Sequence, residues 1–370
     1  MSRSAALPSM DGLGTNRTEV ASLKPRGSVV DIFCGAGGLT HGFKLEGFSV
    51  AAGIDIDENC RYAYESNNNA PFLREDVGKL QTSFLDDLFH KNQPRILVGC
   101  APCQPFSAYN QKNTNPNWDL VGKFGRLIAG SLPDVVSMEN VPRLLDFREG
   151  KVFTTFIKTL EKAGYIVKYQ VVSLPEYGVP QRRKRLVLLA SRHGDISLLP
   201  PSICPDGATT VSEAIGALRE IGAGEIDAYD PLHRASRLSS LNMKRIQASR
   251  PGGSWKEWRT DLIADCHKAE SGKTYSGVYG RMRADEPSPT ITTQFYGFGN
   301  GRFGHPSQDR GLSLREGAIL QSFPPDYQFV APGAAIHFKG LGKMIGNAVP
   351  VELGRAIARS IKHHLTEHQL

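Results

Sequence analysis

No apolar run in this 370-residue chain approaches the length needed to cross a bilayer. The stretch from Met1 to Gly27 lacks the apolar core of a signal peptide; it is polar, punctuated by Ser, Gly and Pro, and is expected to form a loosely ordered arm. The six cysteines lack the spacing of a disulfide framework, which suits a reducing cytoplasm. Cys100-x-x-Cys103 has no second C-x-x-C to complete a zinc site. Its Pro-Cys-Gln-Pro context does not open a helix as a thioredoxin-type site should. No internal repeat is visible. The dinucleotide pattern Gly-x-Gly-x-x-Gly is missing as well, which counts against NAD.

What is present is ordinary for a globular protein: 40% hydrophobic and 22% charged residues, in a chain long enough for one large domain or two modest ones. A net charge of +7 leans towards a polyanionic partner, though the excess is modest.

The first half alternates strands and helices. Ser28 to Phe33 reads as a strand, Cys34-Gly35-Ala36-Gly37-Gly38 as a glycine-rich turn and Leu39 to Leu45 as a helix. Such a turn lets backbone approach a nucleotide-type cofactor, with helix-terminal N–H groups facing its polar parts. Many glycine turns are only tight turns. Here the next strand, Phe48 to Ile54, ends at Asp55, at the spacing expected for a ribose contact. A helix over Asp57 to Ser66, a short strand Phe72 to Arg74 ending at Glu75-Asp76 and a helix over Leu80 to Phe89 follow.

A fourth strand, Arg95 to Val98, leads into Gly99-Cys100-Ala101-Pro102-Cys103-Gln104-Pro105. The two prolines hold the chain extended at the carboxyl end of the strand, where open α/β sheets place their ligand crevices. Cys103 is therefore a candidate nucleophile, weighed against the plainer reading of a small core residue. Ala108 to Lys123 is polar and reads as a loop beside it, either a lid or a surface connection. After a helix over Leu127 to Leu132, a fifth strand, Asp134 to Met138, delivers Glu139-Asn140-Val141 to the same edge. A helix with an apolar face (Val152 to Leu160), a strand (Tyr165 to Leu174), the cluster Gln181-Arg182-Arg183-Lys184-Arg185 and a strand (Leu186 to Ala190) complete this half.

Composition shifts after Ser191. Residues 192 to about 280 have poor periodicity apart from Val211 to Leu218, and suggest a second, smaller domain. Pattern returns from Arg281 onward and closes with Gly346-Asn347-Ala348-Val349-Pro350 and a helix to about His364. His363, His364 and His368 read as a solvated helix end, not a metal site.

Together, Asp31-x-Phe33-x-Gly35-x-Gly37-Gly38, Pro102-Cys103-Gln104, Glu139-Asn140-Val141, Gln181-x-Arg183-x-Arg185 and Gly346 to Pro350 resemble the DNA (cytosine-5) methyltransferases in order and spacing, from about Val29 to Ile361. The family usually has Pro-Pro-Cys-Gln, where this chain has Ala101-Pro102-Cys103-Gln104. The resemblance implies an α/β fold: a class I, Rossmann-like, mostly parallel sheet with one reversed strand, binding S-adenosylmethionine. It assigns 28–191 to catalysis and cofactor, 192–280 to target recognition, 281–342 to the rest of the small domain and return segment, and 343–370 to a helix completing the large domain.

The resemblance also implies residue roles. Cys103 adds to carbon 6 of cytosine, Glu139 serves N3 as general acid, and Arg183 and Arg185 favour the thiolate, with Arg185 also steadying Glu139. Asn140 orients backbone. Asp31, Phe33, Gly35, Gly37, Asp55, Ile56, Asp76, Val77, Pro102 and Asn347 form the cofactor site. The implied partner is double-stranded DNA whose target base is flipped out. Arg, Asn and Gln of 192–280 would read bases, and the remaining Lys and Arg would hold phosphates. The expected protein is a cytoplasmic, nucleoid-associated monomer needing neither metal nor membrane, the modification enzyme of a restriction–modification system or an orphan relative. A tRNA cytosine methyltransferase is the alternative; the Cys-Phe-Thr triplet of that branch is missing.

Overall fold

The computed structural model describes residues 27–102, 119–201 and 208–370. Cys103, Cys204, most of the expected arm and residues 108–118 of the expected loop lie outside them.

The first half runs β1 (Ser28–Ile32), α1 (Gly38–Leu45), β2 (Ser49–Asp55), α2 (Arg61–Asn68), β3 (Phe72–Arg74), α3 (Thr82–Leu88), β4 (Arg95–Gly99), α4 (Leu120–Ser131), β5 (Val135–Asn140), α5 (Lys151–Lys162), β6 (Ile166–Ser173) and β7 (Lys184–Ser191). The second half has only helices and turns as named elements among the described residues: α6 (Val211–Ile215), α7 (Ser240–Gln247), α8 (Asp265–Lys268), α9 (Leu314–Leu320), α10 (Phe338–Asn347) and α11 (Val351–Glu367).

The strands form one seven-stranded sheet in the order β3-β2-β1-β4-β5-β7-β6. Pairing is parallel from β3 to β5, and β7 runs antiparallel to both β5 and β6. The fold is the mostly parallel α/β sheet with one reversed strand that the resemblance implies. Strand order reverses direction between β1 and β4, so the ligand crevice belongs at the carboxyl ends of those two strands.

Both sheet faces are covered, which explains why the central strands are almost wholly apolar. Val30, Ile32 and Leu97 pack with Phe124, Ile128, Phe156 and Leu160 of α4 and α5. Val29, Ile96 and Val98 pack on the other face with Leu39 and Phe43 of α1 and Leu353, Ile357 and Ile361 of α11. The two backbones of α1 and α11 nearly touch: a Cβ on Gly42 would stand 2.5 Å from the backbone nitrogen of Arg355. No larger residue fits there.

Several expectations shift. The helix before β5 starts at Leu120 instead of Leu127, so the last four residues of the expected loop are helical. The span Asp57 to Ser66 divides into a 3₁₀ turn, Glu58–Cys60, and α2. The reversed strand begins at Lys184, because its ladder with β6 extends to Ser173; the basic cluster is thus part turn, part strand. The helix at Val211 stops at Ile215, before Gly216.

The poorly periodic region and the segment that follows it are held by arginines. Arg281 donates to the carbonyls of Ile246, Ser249, His305 and Gln308, and Arg245 to that of Leu262. Arg310, fully buried, donates to Ile221 O and pairs with Glu316 at 2.7 Å; Arg315 pairs with Asp230 at 2.5 Å. These side chains replace the backbone ladders the region lacks. Arg245, expected among the base readers of 192–280, and Arg281, Arg310 and Arg315, expected among the phosphate contacts, are instead spent on these bonds.

Candidate active site

A cavity of about 760 Å³ opens beyond the carboxyl ends of β1, β2 and β4. Asp31, Phe33, Gly35, Asp55, Ile56, Asp76, Val77, Pro102 and Asn347 line it. Gly37, the remaining residue expected at the cofactor, is not in the lining. It sets the start of α1 with φ +88°, where a Cβ would meet Asn68 Nδ2 at 2.3 Å.

The glycine turn is pinned from below and from the side. Asp55 Oδ2 accepts the Gly35 N–H at 3.0 Å, and its Oδ1 accepts the Asp57 N–H at 2.9 Å. One carboxylate thereby joins the turn after β1 to the end of β2. Phe33 has φ +61°, a strained conformation for an aromatic residue, and its ring meets Phe124 edge to face. Ile56 is 63% exposed, an apolar face offered at the mouth. Asp76 caps a short turn through Gly78 N–H at 2.9 Å. Across the opening, Lys343 of α10 pairs with Asp57 at 2.9 Å.

The second cluster sits one and two strands along. Glu139 is the penultimate residue of β5 and is 2% exposed. Its Oε1 lies 2.8 Å from Arg185 Nε on β7, and its Oε2 lies 2.7 Å from Cys100 Sγ. Antiparallel register sets the first contact, since Glu139 stands opposite Val187 and Asn140 opposite Leu186. Asn140 Nδ2 donates to Ala101 O at 3.0 Å, while its Oδ1 accepts the Val141 N–H at 2.9 Å. The residue after the carboxylate thus clamps the backbone leading to Pro102. Arg183 is placed differently from Arg185. Its Nη1 donates to Ile291 O at 3.1 Å and to Gln181 Oε1 at 3.4 Å, tying the turn before β7 to the return segment.

Sequence reasoning missed Cys100, which lines the cavity and touches Glu139, and so joins the two clusters. It also missed Gln321. Gln181 Nε2 donates to Gln321 Oε1 at 2.9 Å, and Gln321 Nε2 donates to Ile345 O at 2.8 Å, so three distant motifs share one hydrogen-bond chain. Cys100 stood in plain view beside Pro102; Gln321 carried no periodic or spacing signal. Cys34, in the glycine turn, is buried, and burial pushes its thiol well above the usual range, leaving it unreactive.

A sheet of this order, with a glycine turn at its switch point and a carboxylate–guanidinium pair beside it, defines a class I methyltransferase architecture. The chain belongs to the C-5 cytosine-specific DNA methylase family, whose model matches residues 27–363. It is 53% identical to the Type II methylase M.HgiDII of Herpetosiphon aurantiacus, over 92% of this chain and 96% of that one. It is 30% identical to the Type II methyltransferase M1.HphI of Haemophilus parahaemolyticus, over 90% and 86% of the two chains. Among solved structures it resembles a candidate DNA modification methyltransferase encoded within an E. coli prophage, with TM-score 0.71 and 20% identity over 92% of this chain and 99% of that one. These relatives favour the DNA reading over the tRNA alternative. Among the described residues no helix is long and apolar enough to cross a membrane, and no group of three or more His, Cys, Asp or Glu could hold a metal ion.

Proposed function

We propose that the protein is the modification enzyme of a Type II restriction–modification pair, methylating carbon 5 of one cytosine within a fixed duplex sequence. The observation that carries this reading is Glu139, buried at the sheet edge between Arg185 and Cys100, two residues short of Pro102.

S-adenosylmethionine is the methyl donor in this reading, and the cavity suits it. Ile56 and Phe33 offer apolar faces for adenine, Asp55 and Asp76 offer acceptors, and the buried Asp31 Oδ1 has no hydrogen-bond partner among the described residues. Bound there, the cofactor supplies an electrophilic methyl group. The chain's own residues prepare the base. The Cys103 thiolate forms a bond to carbon 6, and the electron pair of the 5,6 double bond moves towards N3. Glu139, as general acid, gives N3 a proton, so carbon 5 becomes the nucleophilic end of an enamine. Arg185 fixes the carboxyl in place. After carbon 5 is methylated, its proton passes to water or another base, the 5,6 double bond re-forms, and the Cys103 thiolate leaves; N3 returns its proton to Glu139.

A stacked cytosine cannot reach this edge, so the base swings out at an unstacking cost of a few kcal/mol. Residues 192–280 read the sequence, with 28–191 and the C-terminal helix forming the catalytic body. The enzyme acts as a monomer on the nucleoid of a cytoplasm.

The test is a duplex carrying 5-fluorocytosine at its target. Fluorine cannot leave as a cation, so elimination stalls with the enzyme bonded to the base. A complex surviving denaturing electrophoresis is expected, with the adduct on Cys103 and none formed by Cys103→Ala. An adduct on Cys100, or none on a duplex known to be methylated, overturns the mechanism. Bisulfite sequencing of DNA from an expressing host identifies the target; unconverted cytosines at no fixed sequence would refute the assignment.

A further inference from the structure

The cavity is acidic although the protein is basic. Asp31, Asp55, Asp57, Glu75, Asp76 and Asp119 line it, against three lysines, Lys123, Lys339 and Lys343. Most of these carboxylates have partners. Asp57 is paired with Lys343, and Asp55 accepts two backbone N–H groups. Asp31 is the exception among the buried ones. It is 1% exposed, is held through Thr40, whose Oγ1 donates to Oδ2 at 2.6 Å, and its Oδ1 is unmatched among the described residues.

Among the described residues, the polar groups around it offer no counter-charge. Thr40 faces it from α1, Cys34 from the turn, Asp55 from β2 and Tyr64 from α2. On the β4 side its register partner is Val98. None of these is a cation. Burial pushes the Asp31 carboxyl up to about 7; the Thr40 hydrogen bond works against this and Asp55 adds to it.

We infer that Asp31 makes the cavity selective for ligand charge: it ionises when a cationic cofactor enters and takes its proton back when the ligand left behind is neutral. The inference rests on S-adenosylmethionine being the methyl donor. That molecule carries a sulfonium charge that its product, S-adenosylhomocysteine, has lost with the methyl group. The amino-acid ends of the two are alike and drop out of any ratio of their affinities. The proton Asp31 loses on cofactor binding passes to solvent, and the proton it regains after turnover comes from there. The same carboxyl therefore holds the substrate form and loosens the product form, which limits inhibition by product.

Calorimetry of the full chain with each ligand, in two buffers of different ionisation enthalpy, counts the protons released. Near pH 7 the sulfonium ligand should release more protons than the thioether. The preference for the sulfonium ligand should grow from pH 6 to pH 8, about tenfold for each pKa unit by which the sulfonium lowers Asp31. Asp31→Asn should abolish both the excess proton release and the pH dependence of the ratio. Thr40→Val, a milder change, removes the hydrogen bond that favours the ionised form and should move the rise in preference to higher pH. Equal proton release by the two ligands, or a ratio that is flat with pH in the unaltered chain, overturns the role of Asp31. So does either variant behaving as the parent. If neither ligand binds the parent chain at all, the methyl-donor reading itself fails.

Discussion

Arg185 Nε lies 2.8 Å from Glu139 Oε1, and both side chains are buried. Breaking a buried pair leaves one charge uncompensated, which is costlier than removing both. Arg185→Ala should destabilise the fold by about 3–5 kcal/mol, measured by urea unfolding. Adding Glu139→Gln to it should restore part of that loss while methyl transfer stays absent. A double variant no more stable than Arg185→Ala would mean that the pair is not coupled.

Asn140 clamps the backbone that leads to Cys103, the proposed nucleophile. Asn140→Ala removes its donor from Ala101 O and should cost about 1–2 kcal/mol in stability. The rate of adduct formation with 5-fluorocytosine should fall by more than this loss accounts for, because the backbone before Cys103 loses its anchor. Adduct formation at the parent rate would rule out the clamp.

The His305, Arg310 and Glu316 cluster makes an acid-sensitive joint in the second half of the chain. Burial lowers the His305 imidazole to about 4, despite Glu316 at 3.6 Å. Burial acts upward on the Glu316 carboxyl, but the Arg310 hydrogen bonds and charge outweigh it and hold the group below its usual range. In the window from 6.5 to 4 the unfolded chain carries a proton on this histidine that the folded chain excludes. Its stability contribution is complete above 6.5 and is lost as pH falls. Glu316 adds a loss of the same sign further into acid, as pH falls through its lowered folded value. His305→Gln should flatten the decline between pH 6.5 and 4 by at most about 3 kcal/mol. A decline of unchanged slope, followed by thermal melts, would place the acid sensitivity elsewhere.

Gly42→Val forces a side chain into the backbone of α11, and should destabilise by about 1–3 kcal/mol. Gly122→Ala is the control. That glycine lies in α4 with no atom of the described residues within 4 Å of its missing Cβ, so the alanine should stabilise by about 0.5–1 kcal/mol. Equal effects from the two would discount the helix contact.

Exchanging residues 192–280 for the matching part of a relative should carry that relative's target sequence with it. Methylation that stays at the original site, read by bisulfite sequencing, would put recognition outside this region.

The parallel half was legible because its chemistry is local. Short β-branched runs, a glycine turn and a proline-held strand end each announce an element within ten residues or so. The contacts that complete the site are not local. Cys100 reaches Glu139 on the neighbouring strand, 39 residues further along the chain, and the hydrogen bond from Gln181 to Gln321 spans 140 residues. The second half resisted reading for another reason. Its turns are closed by Arg245, Arg281 and Arg310 donating to backbone carbonyls, and such bonds leave no period in a sequence. Charge there looked available for a ligand and is spent on the fold.

The Tyr327 hydroxyl donates to Ala36 O in the glycine turn at 2.5 Å, across 291 residues, and Asn347 and Val349 line the same cavity as Asp31. A ribosome delivers the first wall of this cavity long before the last. Until α10 has emerged, the glycine turn stands with one side open, and a ligand meeting the nascent chain finds only part of its contacts. Cofactor affinity should thus be acquired late in synthesis. Fragments that end before α10 should be unable to draw down the methyl donor, however well their sheet has formed.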